Sequence, residues 1–256
     1  MKVYMFVDME GISGIYTHRE DHDEEAQRLQ THDVNAAIEG ALEGGATEIL
    51  VQIAHGKPRP FELHPKARYM NRLTPLCLQG MDKSFACMLH IGCHARAGAQ
   101  RGVLAHTVEV EISEQRINGV LVGECGIFAA MAGQFGVPTT LVTGDDVTCA
   151  EARDLLGDIE VAEVKRGLGW NQAICLPLAE TAALIRARAA AAVRRSTEIA
   201  PYRVEPPFVI RTTYNTWEAI QMADRRVSGT ALAERVDERT VEITSDNLIE
   251  AFNLSW

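Results

Sequence analysis

Short apolar runs of strand length recur along the chain, separated by stretches whose apolar positions follow a helical period. Lys2–Val7 (KVYMFV) is such a run at the start. Glu20–Gly44 then places Ala26, Leu29, Val34, Ala37, Ile38, Ala41 and Leu42 on one helical face and stops at Gly44-Gly45. Glu48–Ile53 (EILVQI) follows as a strand, so this stretch predicts a parallel βαβ unit. Ala54–Phe61, with two prolines and a glycine, reads as loop. Phe85–Ile91 and Val103–Ile112 read as strands, and Asn118-Gly119 is a hairpin signal between EISEQRI and VLV. Gly123–Phe135 predicts a helix, Thr139–Thr143 a buried strand, Val147–Leu156 a helix that Asp146 can cap, and Glu160–Lys165 a strand. Pro177–Ile199 is a long Ala/Arg helix, and Ala200–Pro207 reads as a linker. A strand (Phe208–Tyr214), a helix (Trp217–Ala223), a strand (Thr240–Thr244) and a closing helix (Asn247–Leu254) complete the chain. The alternation predicts an α/β fold: a three-layer α/β/α domain with a mainly parallel central sheet over residues 1–200, and a small C-terminal α+β lobe over residues 201–256.

Composition narrows the class. With 256 residues and 46% apolar content the chain can bury a full core. A net charge of −10 argues against nucleic acid as a partner. No apolar run reaches membrane-spanning length, and the chain enters its first strand without a basic leader region, so the expectation is a soluble, cytoplasmic protein with no membrane partner. Six cysteines form no CxxC pair and read as free, partly buried thiols. All eight histidines fall within the first 106 residues, which places any histidine chemistry there.

In α/β folds, sites gather at the carboxyl ends of strands. The first strand ends in Asp8-Met9-Glu10, whose carboxylates leave on the same side, before Gly11 and Gly14. The second ends near His55, and the Phe85–Ile91 strand near His94. Glu124 follows the hairpin and opens a helix, while His106 sits at the start of the Val103–Ile112 run. Carboxylates and imidazoles in this mixture suit zinc, manganese or cobalt better than magnesium or calcium. Each residue also has a plainer reading. Asp8 and Glu10 can serve as turn and cap residues, His55 as a solvated loop residue and His94 as a turn residue. Glu124 can answer the helix dipole, and His106 can be a satisfied core histidine. His90 lies in a strand with Gly92 intervening, so His90 and His94 are not read as a helical HxxxH pair. Asp145-Asp146 reads as a cap pair, and His18, His22, His32 and His64 as surface residues.

Together, VYMFVDMEGISG, IAHGK, HIGCHARAG, GVLAHTV and NGVLVGECGIFAAMAGQFGVPTTLVTGDD resemble the M55 family of metallopeptidases, in order from Met1 to about Lys165. The resemblance implies a dinuclear zinc site held by Asp8, Glu10, His55, His94 and Glu124, with Asp8 bridging the two ions. It also implies a catalytic His106 and a closed homodecameric ring. Three departures from the family pattern stand out. Ile53 replaces an aspartate two residues before the loop histidine, Lys57–Phe61 (KPRPF) replaces an asparagine-containing run, and Ala105 replaces a serine. Ile53 and the stiffened loop with its Arg59 cation predict a pocket that favours an apolar or anionic group and binds a free amine less tightly.

The function expected is a zinc-dependent hydrolase that uses a metal-activated water to remove an N-terminal amino acid, with D and L configuration both open, from a small peptide or amino-acid amide. Two other readings stand beside it. One is a metal-dependent amidohydrolase acting on a small non-peptide amide. The other is a non-catalytic metal- or peptide-binding accessory of a transporter.

Overall fold

The structure, a computed structural model, describes residues 1–18, 23–59, 62–70 and 77–255. The chain runs β1 (Lys2–Val7), α1 (Glu24–Glu43), β2 (Glu48–Ile53), β3 (Arg68–Met70), β4 (Phe85–Ile91), β5 (Ile112–Ile117), β6 (Val120–Leu121), α2 (Glu124–Gln134), β7 (Thr139–Asp145) and α3 (Asp146–Leu156). It continues through β8 (Glu160–Gly169), β9 (Gln172–Cys175), α4 (Leu178–Arg194), β10 (Phe208–Tyr214), α5 (Trp217–Arg226), β11 (Ala233–Arg235), β12 (Thr240–Ser245) and α6 (Leu248–Ser255).

A seven-stranded sheet in the order β3-β2-β1-β4-β7-β8-β9 forms the centre, parallel except where β9 turns back on β8. β1 lies inside it, third from one edge and paired with β2 and β4, so its alternating side chains feed both faces. Val3, Met5 and Val7 pack with residues of α1 and α4, whereas Tyr4 and Phe6 pack with α2 and the elements of a second sheet. This is the three-layer α/β arrangement expected. α1 starts at Asp23, whose side chain accepts from the Glu25 and Ala26 amides. The Glu20 start read from the sequence lies outside the described residues. The helix meets α4 closely because Gly40 and Gly44 leave room: a Cβ on Gly40 would fall 2.2 Å from the Arg186 carbonyl. The alanine run of α4 is the matching surface.

The second sheet runs β11-β12-β10-β5-β6 and is antiparallel. A boundary after residue 200 therefore divides the chain but not the sheets, because β5 and β6 come from before it. They form the expected Asn-Gly hairpin, with φ 49° at Asn118 and 83° at Gly119. One strand expectation fails. Of Val103–Ile112, only Ile112 belongs to a strand; the rest is loop, with left-handed φ values of 51° at Leu104 and 62° at Val108. Hydrogen bonds outweigh the β propensity of the run: Leu104 N donates to Trp170 O (2.9 Å), His106 N to Ala95 O (3.1 Å) and Val108 N to Glu124 Oε1 (2.8 Å). Asp145, rather than Asp146, caps α3, and it also accepts from Val103 N at 2.6 Å. All six cysteines are free, and no described helix is long and apolar enough to cross a membrane.

Candidate metal centre

The end of β1 is clamped to the end of β4. Gly11 N donates to Gly92 O at 2.7 Å, and a Cβ on Gly11 would fall 1.9 Å from the Cys93 carbonyl. Gly92 has φ 74°, and a Cβ there would meet the Asp8 carbonyl at 2.5 Å. These two glycines let Asp8 and Glu10 stand beside His94. Two buried side chains hold the surrounding backbone. Gln30 on α1 donates to Asp8 O (3.2 Å) and His55 O (2.7 Å). The Lys165 ammonium donates to the carbonyls of Glu10, Ile12 and Ile15, and burial pushes it down to about 8.

The structure brings all six singled-out residues together. His55 Nδ1 lies 2.9 Å from Glu10 Oε1 and 3.6 Å from Asp8 Oδ1. His94 Nε2 lies 3.3 Å from Asp8 Oδ2 and 3.1 Å from Glu124 Oε1. Asp8 thus sits between two imidazole–carboxylate pairs, with one oxygen toward each. His94 Nδ1 donates to Ala95 O at 3.0 Å, which turns Nε2 toward the carboxylates. His106 stacks on His94 (centroids 4.0 Å, planes 7° apart) and donates from Nδ1 to Leu104 O at 2.7 Å. It borders a cleft of about 410 Å³ shared with Gly98, Val110, Trp170 and Asn215.

Three carboxylates in one buried site call for positive charge. Burial and the Glu10 charge push the Asp8 carboxyl upward. Burial opposes ionisation of Glu10 and Glu124 too, but His55 holds Glu10 well below its usual range and His94 holds Glu124 down to about 2. Against their own burial, the carboxylates drive His55 up to about 11 and His94 up to about 10. His106 goes the other way, lowered by burial and by the charge of His94. Among the described residues, Asp8 Oδ2 and His94 Nε2 make no aligned hydrogen bond although both are buried. Buried oxygen and nitrogen atoms without an aligned hydrogen bond, mixed ligand chemistry and a demand for positive charge together fit a transition-metal dication.

The other expectations fare unevenly. His18 is exposed and His32 and His64 are half-buried, while His22 lies outside the described residues. His90 is fully buried in β4 and takes no part in the carboxylate site. Ile53 is buried in the apolar core cluster that includes residues of α1, and it is not among the residues lining the cleft beside His106. Arg59 is no free cation: Nη1 donates to Glu62 Oε1 (2.9 Å) and Nη2 to Glu24 O (3.3 Å). Pro60 and Phe61 lie outside the described residues. Gln30 and Lys165 escaped the sequence reading because each acts on backbone carbonyls, which leave no pattern of side-chain types.

A parallel sheet that gathers carboxylates and imidazoles at its strand ends, beside a cleft bordered by a further imidazole, fits a metallohydrolase architecture. Residues 1–256 match the family model of M55 peptidases, described as D-aminopeptidase, and the chain belongs to that family of enzymes. It is 29% identical over 262 residues to a D-aminopeptidase of Bacillus subtilis (strain 168), covering 98% of this chain and 94% of that one. It also superposes with a TM-score of 0.90 and 28% identity on a solved structure, covering 99% of this chain and 95% of that one. That structure is the Zn-dependent D-aminopeptidase DppA from Bacillus subtilis, described as a self-compartmentalizing protease.

Proposed function

We propose that this peptidase removes an N-terminal D-amino acid from short peptides or amino-acid amides, using two zinc ions held by Asp8, Glu10, His55, His94 and Glu124. The observation that carries the reading is the position of Asp8, one oxygen facing His55 and Glu10 and the other facing His94 and Glu124. A single carboxylate between two such pairs suits a shared ligand. Zinc bound there supplies Lewis-acid polarisation of the scissile carbonyl and lowers the pKa of a water toward ~7. His106 handles the protons. Its Nδ1 is committed to Leu104 O, so in the neutral ring Nε2 carries the lone pair. Held below its ordinary value, the ring is neutral at pH 7 and can take a proton from the attacking water, then return it to the leaving amine nitrogen. The cleft beside it receives the substrate.

The zinc dependence and D-configuration named for the Bacillus proteins support this reading. Six free cysteines favour a reducing cytoplasm. Exposed Leu168, Trp170 and Ile174 on the β8–β9 hairpin, the last 58% exposed, favour assembly of copies into a ring, a decamer by family resemblance. The test is turnover of matched D- and L-aminoacyl amides and dipeptides with added zinc and with chelator. D-selective, chelator-sensitive hydrolysis is expected. Zinc-independent turnover, or none on any D-substrate, contradicts the proposal.

A further inference from the structure

A second group of metal-binding side chains lies behind the carboxylate site. His90 is completely buried, and the polar group that meets its ring is the Cys125 thiol, with no other hydrogen-bond partner for either nitrogen among the described residues. The ring stands edge-on to Phe6 (centroids 5.1 Å) and Phe128 (6.1 Å), so its setting there is apolar. An imidazole met there only by a thiol, a weak hydrogen-bonding group, is costly. Two sulfur atoms meet it: a His90 ring nitrogen, Cys93 Sγ and Cys125 Sγ all lie within 4.8 Å of one another. Cys93 and Cys125 pack in an apolar cluster with Val142, Cys149 and Val161, while their chain neighbours His94 and Glu124 turn into the carboxylate site.

We propose that His90, Cys93 and Cys125 bind one zinc ion, separate from the site that holds the carboxylates. Two thiolates and an imidazole are a zinc ligand set, and they leave a fourth position for a water. Charge selects the ion. Zinc with two thiolates and a neutral imidazole has no net charge, which an apolar interior tolerates; a monovalent soft ion on the same ligands would leave a buried negative charge. On binding, each thiol loses its proton to solvent as its sulfur–zinc bond forms, and no electron is transferred. Because the residues are buried, the ion enters as the chain folds. Once bound, it ties the end of β4 to the first turn of α2, one peptide bond from His94 and one from Glu124.

Zinc-edge X-ray absorption on the full chain, folded with zinc present, tests this without any variant. The expected spectrum contains a sulfur shell at about 2.3 Å besides the oxygen and nitrogen shell. A spectrum with oxygen and nitrogen alone overturns the proposal while leaving the carboxylate site standing. A spectrum dominated by sulfur supports it while counting against zinc in the carboxylate site. The Cys93→Ala/Cys125→Ala variant should lose the sulfur shell and one zinc per chain relative to the parent. His90→Phe, which replaces one ring by another beside Phe6 and Phe128, should also lose that zinc, and it serves if the double variant does not fold. A sulfur shell that persists in either folded variant overturns the assignment.

Discussion

The two histidines beside Asp8 are held differently. The His94 side chain is 1% exposed, and its ring is fixed by a backbone carbonyl at Nδ1 and stacked on His106. The His55 side chain is 31% exposed, follows β2 on a loop, and meets Glu10 through Nδ1. One half of the site is built into the core between β4 and α2. The other sits on the loop that follows β2, one strand in from the edge of the sheet, tied down by Gln30 through the His55 carbonyl. The contrast teaches where rigidity resides. On the proposed function, the buried half would set donor direction and support the proton-handling imidazole, while the exposed half would tolerate an altered loop because Gln30 anchors His55 through its backbone.

This contrast can be broken or sharpened by substitution. His106→Ala is expected to keep its zinc and lose about 10²–10⁴-fold in kcat, measured at saturating zinc. The parent's kcat should fall as pH drops through the His106 pKa, which lies below the ordinary 6.5, because the protonated ring cannot accept; the variant should lack that limb. His94→Ala should weaken zinc binding more than His55→Ala does, read by competition with a chelator. Equal losses would erase the distinction between the halves. Gln30→Ala should lower zinc affinity by about tenfold, as loss of a supporting partner does, with little change in the pH profile. The smallest effect belongs to Arg59→Ala: KM for D-aminoacyl amides within about twofold of the parent and stability within about 0.5 kcal/mol, since its partners are exposed.

Strand ends were readable because an apolar run that stops at a carboxylate or histidine marks both the strand and its exit. That reasoning singled out Asp8, Glu10, His55, His94 and Glu124 as candidates beside their plainer readings, and it was the family resemblance that carried them over as a ligand set. It misread Val103–Ile112, where alternating apolar residues look like a strand but a Glu124 carboxylate and two distant carbonyls impose a loop. It placed no short strand at β3, β9 or β11, whose three or four residues carry little pattern. The union of β5 with β10 depends on pairing across almost a hundred positions, which no local window contains. Ile53 and Arg59 looked like pocket residues by proximity to His55. Strand alternation sends Ile53 into the core instead, and Glu62 engages Arg59.

The central claim is that Asp8 serves both halves at once. It is tested most directly by counting zinc in Asp8→Ala against the parent, each dialysed from the same zinc buffer. The account predicts that the variant loses both ions of the carboxylate site together. A variant that retains full occupancy, or loses a single ion, would show that the two halves do not share Asp8.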